Sequence, residues 1–138
     1  MSTPLGQRTC SDGPSGQLLL GIRQFNSHAW FACHETIEAL WLHQQGELRN
    51  CYQGLIQLAI AQLHWKNGNF NGAVALLQGG IDYLQQAPSP CQWLDLADLI
   101  RQAELLLAEL KQLGPEQMAE LDQTYLLKIR TNSQDVYH

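Results

Sequence analysis

Charge is scarce in this chain. Only 15% of its 138 residues are Asp, Glu, Lys or Arg, and the eight basic ones (Arg8, Arg23, Arg49, Lys66, Arg101, Lys111, Lys128, Arg130) are scattered among thirteen acidic ones. Nucleic-acid binding needs clustered cations that displace counterions from phosphates. A net charge of −5 and a densest basic pair of only Lys128 with Arg130 exclude that class. Long apolar runs are also missing. No stretch reaches the roughly 18–20 residues of a membrane span, and the start "MSTPLGQRTCSDGPSG" has no apolar signal-peptide core. The expectation is a cytoplasmic protein with no membrane partner. Cys10, Cys33, Cys51 and Cys91 lie far apart with no C-x-x-C pair, which argues against zinc-finger spacing. In a reducing cytosol they are expected to be free thiols, with Cys33 and Cys51 packed as small hydrophobes. No glycine-rich phosphate loop, nucleophile elbow or paired Cys/His arrangement is visible.

Apolar residues, at 45%, are plentiful enough for one sizeable core, and the length fits a single domain. Their spacing is helical. "SGQLLLGIRQF" places Leu18, Leu19, Ile22 and Phe25 three and four apart behind Ser15, a candidate N-cap. A second helix runs from about His28 to His43, with Trp30, Ile37 and Trp41 on one stripe, and Gly46 follows its end. The third, about Glu47 to Lys66, is apolar nearly all round, which places it in the middle of the domain. After the turn "NGN", with Asn69 as cap, a fourth helix runs from about Phe70 to Gln86 and stops at "APSP". A fifth extends from about Gln92 to Leu113, and a short helical turn is expected within 115–122. The fold class is therefore all-α: a compact single-domain array of about five helices around a buried third. Residues 1–14 read as a flexible arm, 15–121 as the helical domain and 122–138 as an extended tail, packed across the bundle or reaching a second subunit in a homodimer.

Phe25/Trp65, His28/Gly68, Trp30/Phe70, Cys33/Ala73 and Ile37/Leu77 repeat at a spacing of forty, which points to two similar helical hairpins packed together, as in tetratricopeptide units.

Polar residues on the inner stripes carry the candidate chemistry. At about 100° per residue, His34 and Glu38 share the apolar face of Trp30, Ile37 and Trp41, while Glu35 points about a quarter-turn away. On the third helix Gln53, Gly54, Gln57, Ala61 and His64 fall together, with Gly54 and Ala61 small enough for a close neighbour. Antiparallel packing of these helices brings His34 towards His64 and Glu38 towards Gln57 or Gln53. A buried polar group without a partner costs about 1–3 kcal/mol, so such residues bind one another, water, a metal or a ligand. One reading is a register-fixing network of His34, Glu38, Gln53, Gln57 and His64 sealed by Trp30 and Trp41, or a small-molecule pocket that uses the same groups. The other is a divalent metal held by His34, Glu38 and His64 with one open position. "HETIE" is not the H-E-x-x-H of zinc peptidases, because Glu38 stands where the second histidine belongs.

"FNSHAWFACHETIEALW" and "YQGLIQLAIAQLHWKNGNFNGAVALL" together resemble the small bacterial and archaeal family known as domain of unknown function 309. Its pattern joins an F-N turn, a helix with H-E-x-x-E-x-x-W, and a G-L-I-Q-L-A helix leading to a G-N-x-x-G-A turn. The resemblance covers about residues 18–85. It carries Phe25, Asn26, His34, Glu35, Glu38, Trp41, Gln53, Gly54, Gln57, Ala59, His64, Gly68, Asn69, Gly72 and Ala73. It implies an array of about five helices and no defined reaction. The family usually has glycine in the turn where this chain has His28.

Two functional expectations follow. The first is a non-enzymatic binding domain that needs no cofactor and meets a protein partner or small molecule. The second is a metal-dependent, hydrolase-like enzyme with His34, Glu38 and His64 as ligands and Glu35 as general base.

Overall fold

Five helices form where the three-and-four spacing places them, in a computed structural model that describes residues 7–132. They are α1 (Gly16–Asn26), α2 (Trp30–Trp41), α3 (Gly46–Lys66), α4 (Phe70–Leu84) and α5 (Leu96–Leu113), followed by short 3-10 turns at Met118–Glu120 and Gln123–Tyr125. Ser15 caps α1 by accepting from the Leu18 amide, and Asn69 caps α4 by accepting from Gly72. α5 starts four residues later than its pattern suggests. Cys91 and Leu94 bridge each other there, and Asp95 caps the helix from outside it by accepting from the Asp98 amide. No helix among the described residues is long and apolar enough to cross a membrane.

The turns of the hairpins α1–α2 and α3–α4 share the same three backbone bonds. In the first turn the amides of Ser27, His28 and Ala29 donate to the carbonyls of Arg23, Phe25 and Gln24. In the second, forty residues on, Asn67, Gly68 and Asn69 donate to Leu63, Trp65 and His64. Both turns need one left-handed residue, which is Gly68 at φ +78° in one and His28 at φ +68° in the other. The histidine therefore makes the same turn that Gly68 makes in the second hairpin. It does so in a conformation disfavoured for a side chain with Cβ, with its ring stacked on Trp30 at 5.3 Å.

α3 lies at the centre, packed between α2 and α4, and its Leu55, Leu58, Ala59 and Ala61 are buried. Its crossing with α4 is closest at Gly54 and Gly80. A Cβ on either would sit inside ordinary contact distance, at 3.0–3.1 Å from the other's carbonyl oxygen and 2.6 Å from Leu84 or Leu58. The small residue expected to admit a neighbouring helix does so at Gly54.

Two expectations about the ends and the cysteines are corrected. Cys10 and Cys91 form a disulfide, so only Cys33 and Cys51 are free thiols, both buried. The two bonded cysteines are 81 residues apart, a separation that leaves no local spacing pattern. The described part of the arm, residues 7–14, is tied down rather than loose. Besides the disulfide, the Gln92 amide donates to the Cys10 carbonyl, the Arg8 amide to Gln44 Oε1, and Gln7 Nε2 to the His43 carbonyl. Residues 1–6 and 133–138 lie outside the described residues.

Candidate functional site

The H-E-x-x-E-x-x-W helix is half open rather than interior. His34 Nε2 lies 3.5 Å from Glu38 Oε2, with side chains 27% and 49% exposed. The helical projection put these residues on the core stripe beside Ile37. The structure rotates that stripe so that Trp30, Cys33 and Ile37 are the buried positions and Glu38 faces solvent. An interior network around Glu38 is therefore corrected to a surface pair, which also suits a carboxylate, since burial of its charge is costly. The Phe31 ring stands 5.9 Å from His34. Among the described residues, His34 Nδ1, turned inward, has no hydrogen-bond partner, and neither has the buried indole N–H of Trp30.

His64 does not reach this pair. α2 has 12 residues and α3 has 21, so from their link His34 sits roughly 10 Å along α2 and His64 roughly 27 Å along α3. Antiparallel packing therefore leaves the last turns of α3 beyond the start of α2. His64 Nδ1 instead lies 3.3 Å from Asn69 Nδ2, and because Asn69 Oδ1 accepts from Gly72, the amide nitrogen donates and the imidazole Nδ1 accepts. Among the described residues no three His, Cys, Asp or Glu side chains come together in a group fit to hold a metal. His34 and Glu38 could offer a cation two donors, with Glu35 exposed one position along.

Gln57 and His64 share a different environment. Both are half-buried on α3, and each lies over a glycine of α4. A Cβ on Gly79 would collide with Gln57 Oε1, and one on Gly72 would meet His64 Cδ2 at 2.8 Å. Gln53, also half-buried, continues this stripe one turn earlier. Trp41 holds the α2–α3 link by packing under Arg49, whose guanidinium carbon is 4.0 Å from the ring centre.

The outward face of α2 carries Phe31, Glu35, Glu38 and Leu42 at helical spacings of four, three and four. Phe31 and Leu42, at its two ends, are 58% and 61% exposed.

Other polar groups matter more to the fold than their patterns suggest. Gln62 is buried and accepts from the Leu127 amide at 2.8 Å. Asp98, also buried, meets Arg101, Arg130 and Gln102. Tyr52 donates to buried Gln92 at 2.8 Å, and burial pushes its phenol above its ordinary pKa. Gln62 bonds a residue 65 positions away, a tie that no local pattern marks.

A relative from Aquifex aeolicus (strain VF5), an uncharacterized protein, is 26% identical over 91 residues, which is 65% of this chain. The chain spans 27% of that relative's length. The sequence pattern of the family described as Domain of unknown function (DUF309) matches residues 18–76, from α1 into α4. The resemblance carried by H-E-x-x-E-x-x-W is thus established for that stretch, which is a DUF309 match.

Proposed function

We propose that this chain is a non-enzymatic interaction domain that contacts a protein partner through the outer face of α2. One observation carries the reading: Phe31 and Leu42 stand exposed at either end of Glu35 and Glu38 on a single helical strip. Two apolar anchors framing two carboxylates suit a partner segment that is itself amphipathic and basic. The separation of His34 and Glu38 from His64 supports recognition over hydrolysis, because the three cannot serve one reacting centre. Cytosolic reductants keep most thiols reduced, so the Cys10–Cys91 bond favours an oxidising compartment over the cytoplasmic setting expected from the sequence.

The test joins photocrosslinking to metal analysis. A photoreactive residue at Glu35 is expected to give one discrete protein adduct in cells. Phe31→Ala and Leu42→Ala should abolish it while leaving unfolding free energy within about 0.5 kcal/mol of wild type, as exposed positions do. One equivalent of divalent metal in the purified protein, lost without unfolding in both His34→Ala and Glu38→Ala, would overturn the reading in favour of a metal-dependent enzyme.

A further inference from the structure

The last described segment of the chain is held in the manner of a bound peptide. Residues 126–132 run in extended form across α1, α3 and α5, and one amide side chain from each helix grips their backbone. Asn26 of α1 makes both bonds to Ile129, donating to its carbonyl at 3.0 Å and accepting from its amide at 2.8 Å. Gln102 of α5 does the same with Lys128, both at 2.9 Å. Gln62 of α3 accepts from Leu127 at 2.8 Å. These five bonds fall on three consecutive residues and none reads a side chain, so the grip is indifferent to most of the sequence held. Selectivity comes from the side chains instead. Leu127 and Ile129 point inward and are buried, Lys128 and Arg130 point outward, and the Arg130 guanidinium lies 3.6 Å from the buried carboxylate of Asp98. The alternation matches an extended ligand in a groove, with main-chain bonds for affinity and alternate pockets for specificity.

We propose that the face formed by α1, α3 and α5 is a peptide-binding groove, occupied in cis by residues 126–131. Its partner is an extended segment with apolar residues at alternate positions and a basic residue to meet Asp98. This site is separate from the outer strip of α2 and stands whether or not that strip binds. The tail acts as a tethered competitor: its effective concentration at the groove is on the order of millimolar, so a partner must outcompete it.

A fluorescent peptide of the sequence Asp122 to Asn132 serves as probe, titrated into the full chain. Leu127→Asp with Ile129→Asp unseats the tail in cis and is expected to bind the probe about tenfold or more tightly than wild type. Adding Asn26→Ala should weaken that binding by about tenfold, the loss of a pair of backbone bonds. A probe carrying aspartate at the same two positions should not bind. A folded, monomeric double variant that binds no probe would overturn the proposal, as would a wild-type dimer that excess probe fails to disperse, which would show exchange confined to a second copy. If the double variant does not fold, a protease site placed in the exposed stretch 115–117 allows the tail to be nicked while seated. Replacement of the nicked tail by labelled probe with helicity retained supports the groove, and unfolding on its release overturns it.

Discussion

At the scale of single residues, the two equivalent turns act as each other's controls. His28 and Gly68 occupy the same left-handed position, and only the glycine does so without strain. Nothing lies within 4 Å of a Cβ at Gly68, so Gly68→Ala isolates the backbone penalty and should destabilise by about 1–2 kcal/mol in urea unfolding. His28→Gly should gain part of the same amount, reduced by loss of the ring stacked on Trp30 and by the entropy glycine adds to the unfolded chain. No gain at His28 would mean that the ring contact offsets the strain in full. The caps differ likewise. Asn69 accepts a helix amide, whereas Ala29 cannot, so Ala29→Ser should stabilise by about 0.5–1 kcal/mol. Serine is preferred to asparagine because Ala32 fills the space that Gly72 leaves open for the Asn69 amide. The thiols give a pH dependence with a definite sign. Burial pushes Cys33 and Cys51 from 9.0 up to about 12, so the folded state keeps them neutral after unfolded chains begin to ionise them. Their contribution is fully present below pH 9 and is lost as pH rises towards 12, which denaturant midpoints measured across that window will report. Alkylation of either thiol at pH 8 should require unfolding.

At the scale of helices, the spacing of apolar residues was enough to locate all five, and the unbroken apolar surface of "CYQGLIQLAIAQLHW" was enough to centre α3. Periodicity fixes which residues share a face. It does not fix how far a helix is rotated about its axis, and a rotation of a fraction of a turn separates Glu38 exposed from Glu38 buried. Helix length settled the other difference, since the long α3 carries His64 past the end of α2. The α3–α4 contact shows how glycines with identical sequence signatures differ in role. At Gly80 a Cβ would meet Leu58 at 2.6 Å and the Gly54 carbonyl at 3.1 Å, and neither α3 backbone nor a packed leucine can retreat. Gly80→Ala should therefore destabilise by about 1–3 kcal/mol, the ordinary cost of overpacking. At neighbouring Gly79 the obstacle is the end of the flexible Gln57 side chain, which can swing away. Alanine also favours the helix by about 1 kcal/mol, so Gly79→Ala should be neutral or stabilising. If thermal unfolding showed both substitutions equally damaging, Gln57 would be fixed by something stronger than its position over a glycine.

At the scale of the whole molecule, long-range ties were the least legible feature, because a bond between distant segments leaves no local pattern. The loop at residues 91–95 is where they converge. Cys91 takes the disulfide from Cys10, the Gln92 amide donates to the Cys10 carbonyl, the Asn132 amide donates to the Trp93 carbonyl, and the Asp95 amide donates to the Arg130 carbonyl. Both described ends of the chain are thus pinned at one place, and α5 begins immediately after it. Loop closure over an 81-residue separation would restrict the unfolded chain by about 4.5 kcal/mol in the chain-entropy picture, and measured disulfides usually deliver about 2–4 kcal/mol. Reduction with dithiothreitol, or Cys10→Ser, should therefore lower the unfolding free energy by about 2–4 kcal/mol, with the two treatments giving the same value and no further loss when combined. The helices themselves do not cross this bond, so helicity at low denaturant should persist. Because Asp95 and Trp93 bond Arg130 and Asn132, both of which the Asp122-to-Asn132 probe carries, the probe should bind the Leu127→Asp, Ile129→Asp variant more weakly once the disulfide is reduced. Unchanged probe binding alongside the expected loss of stability would show that the disulfide anchors the arm alone and that the loop keeps its bonds to Arg130 and Asn132 without it.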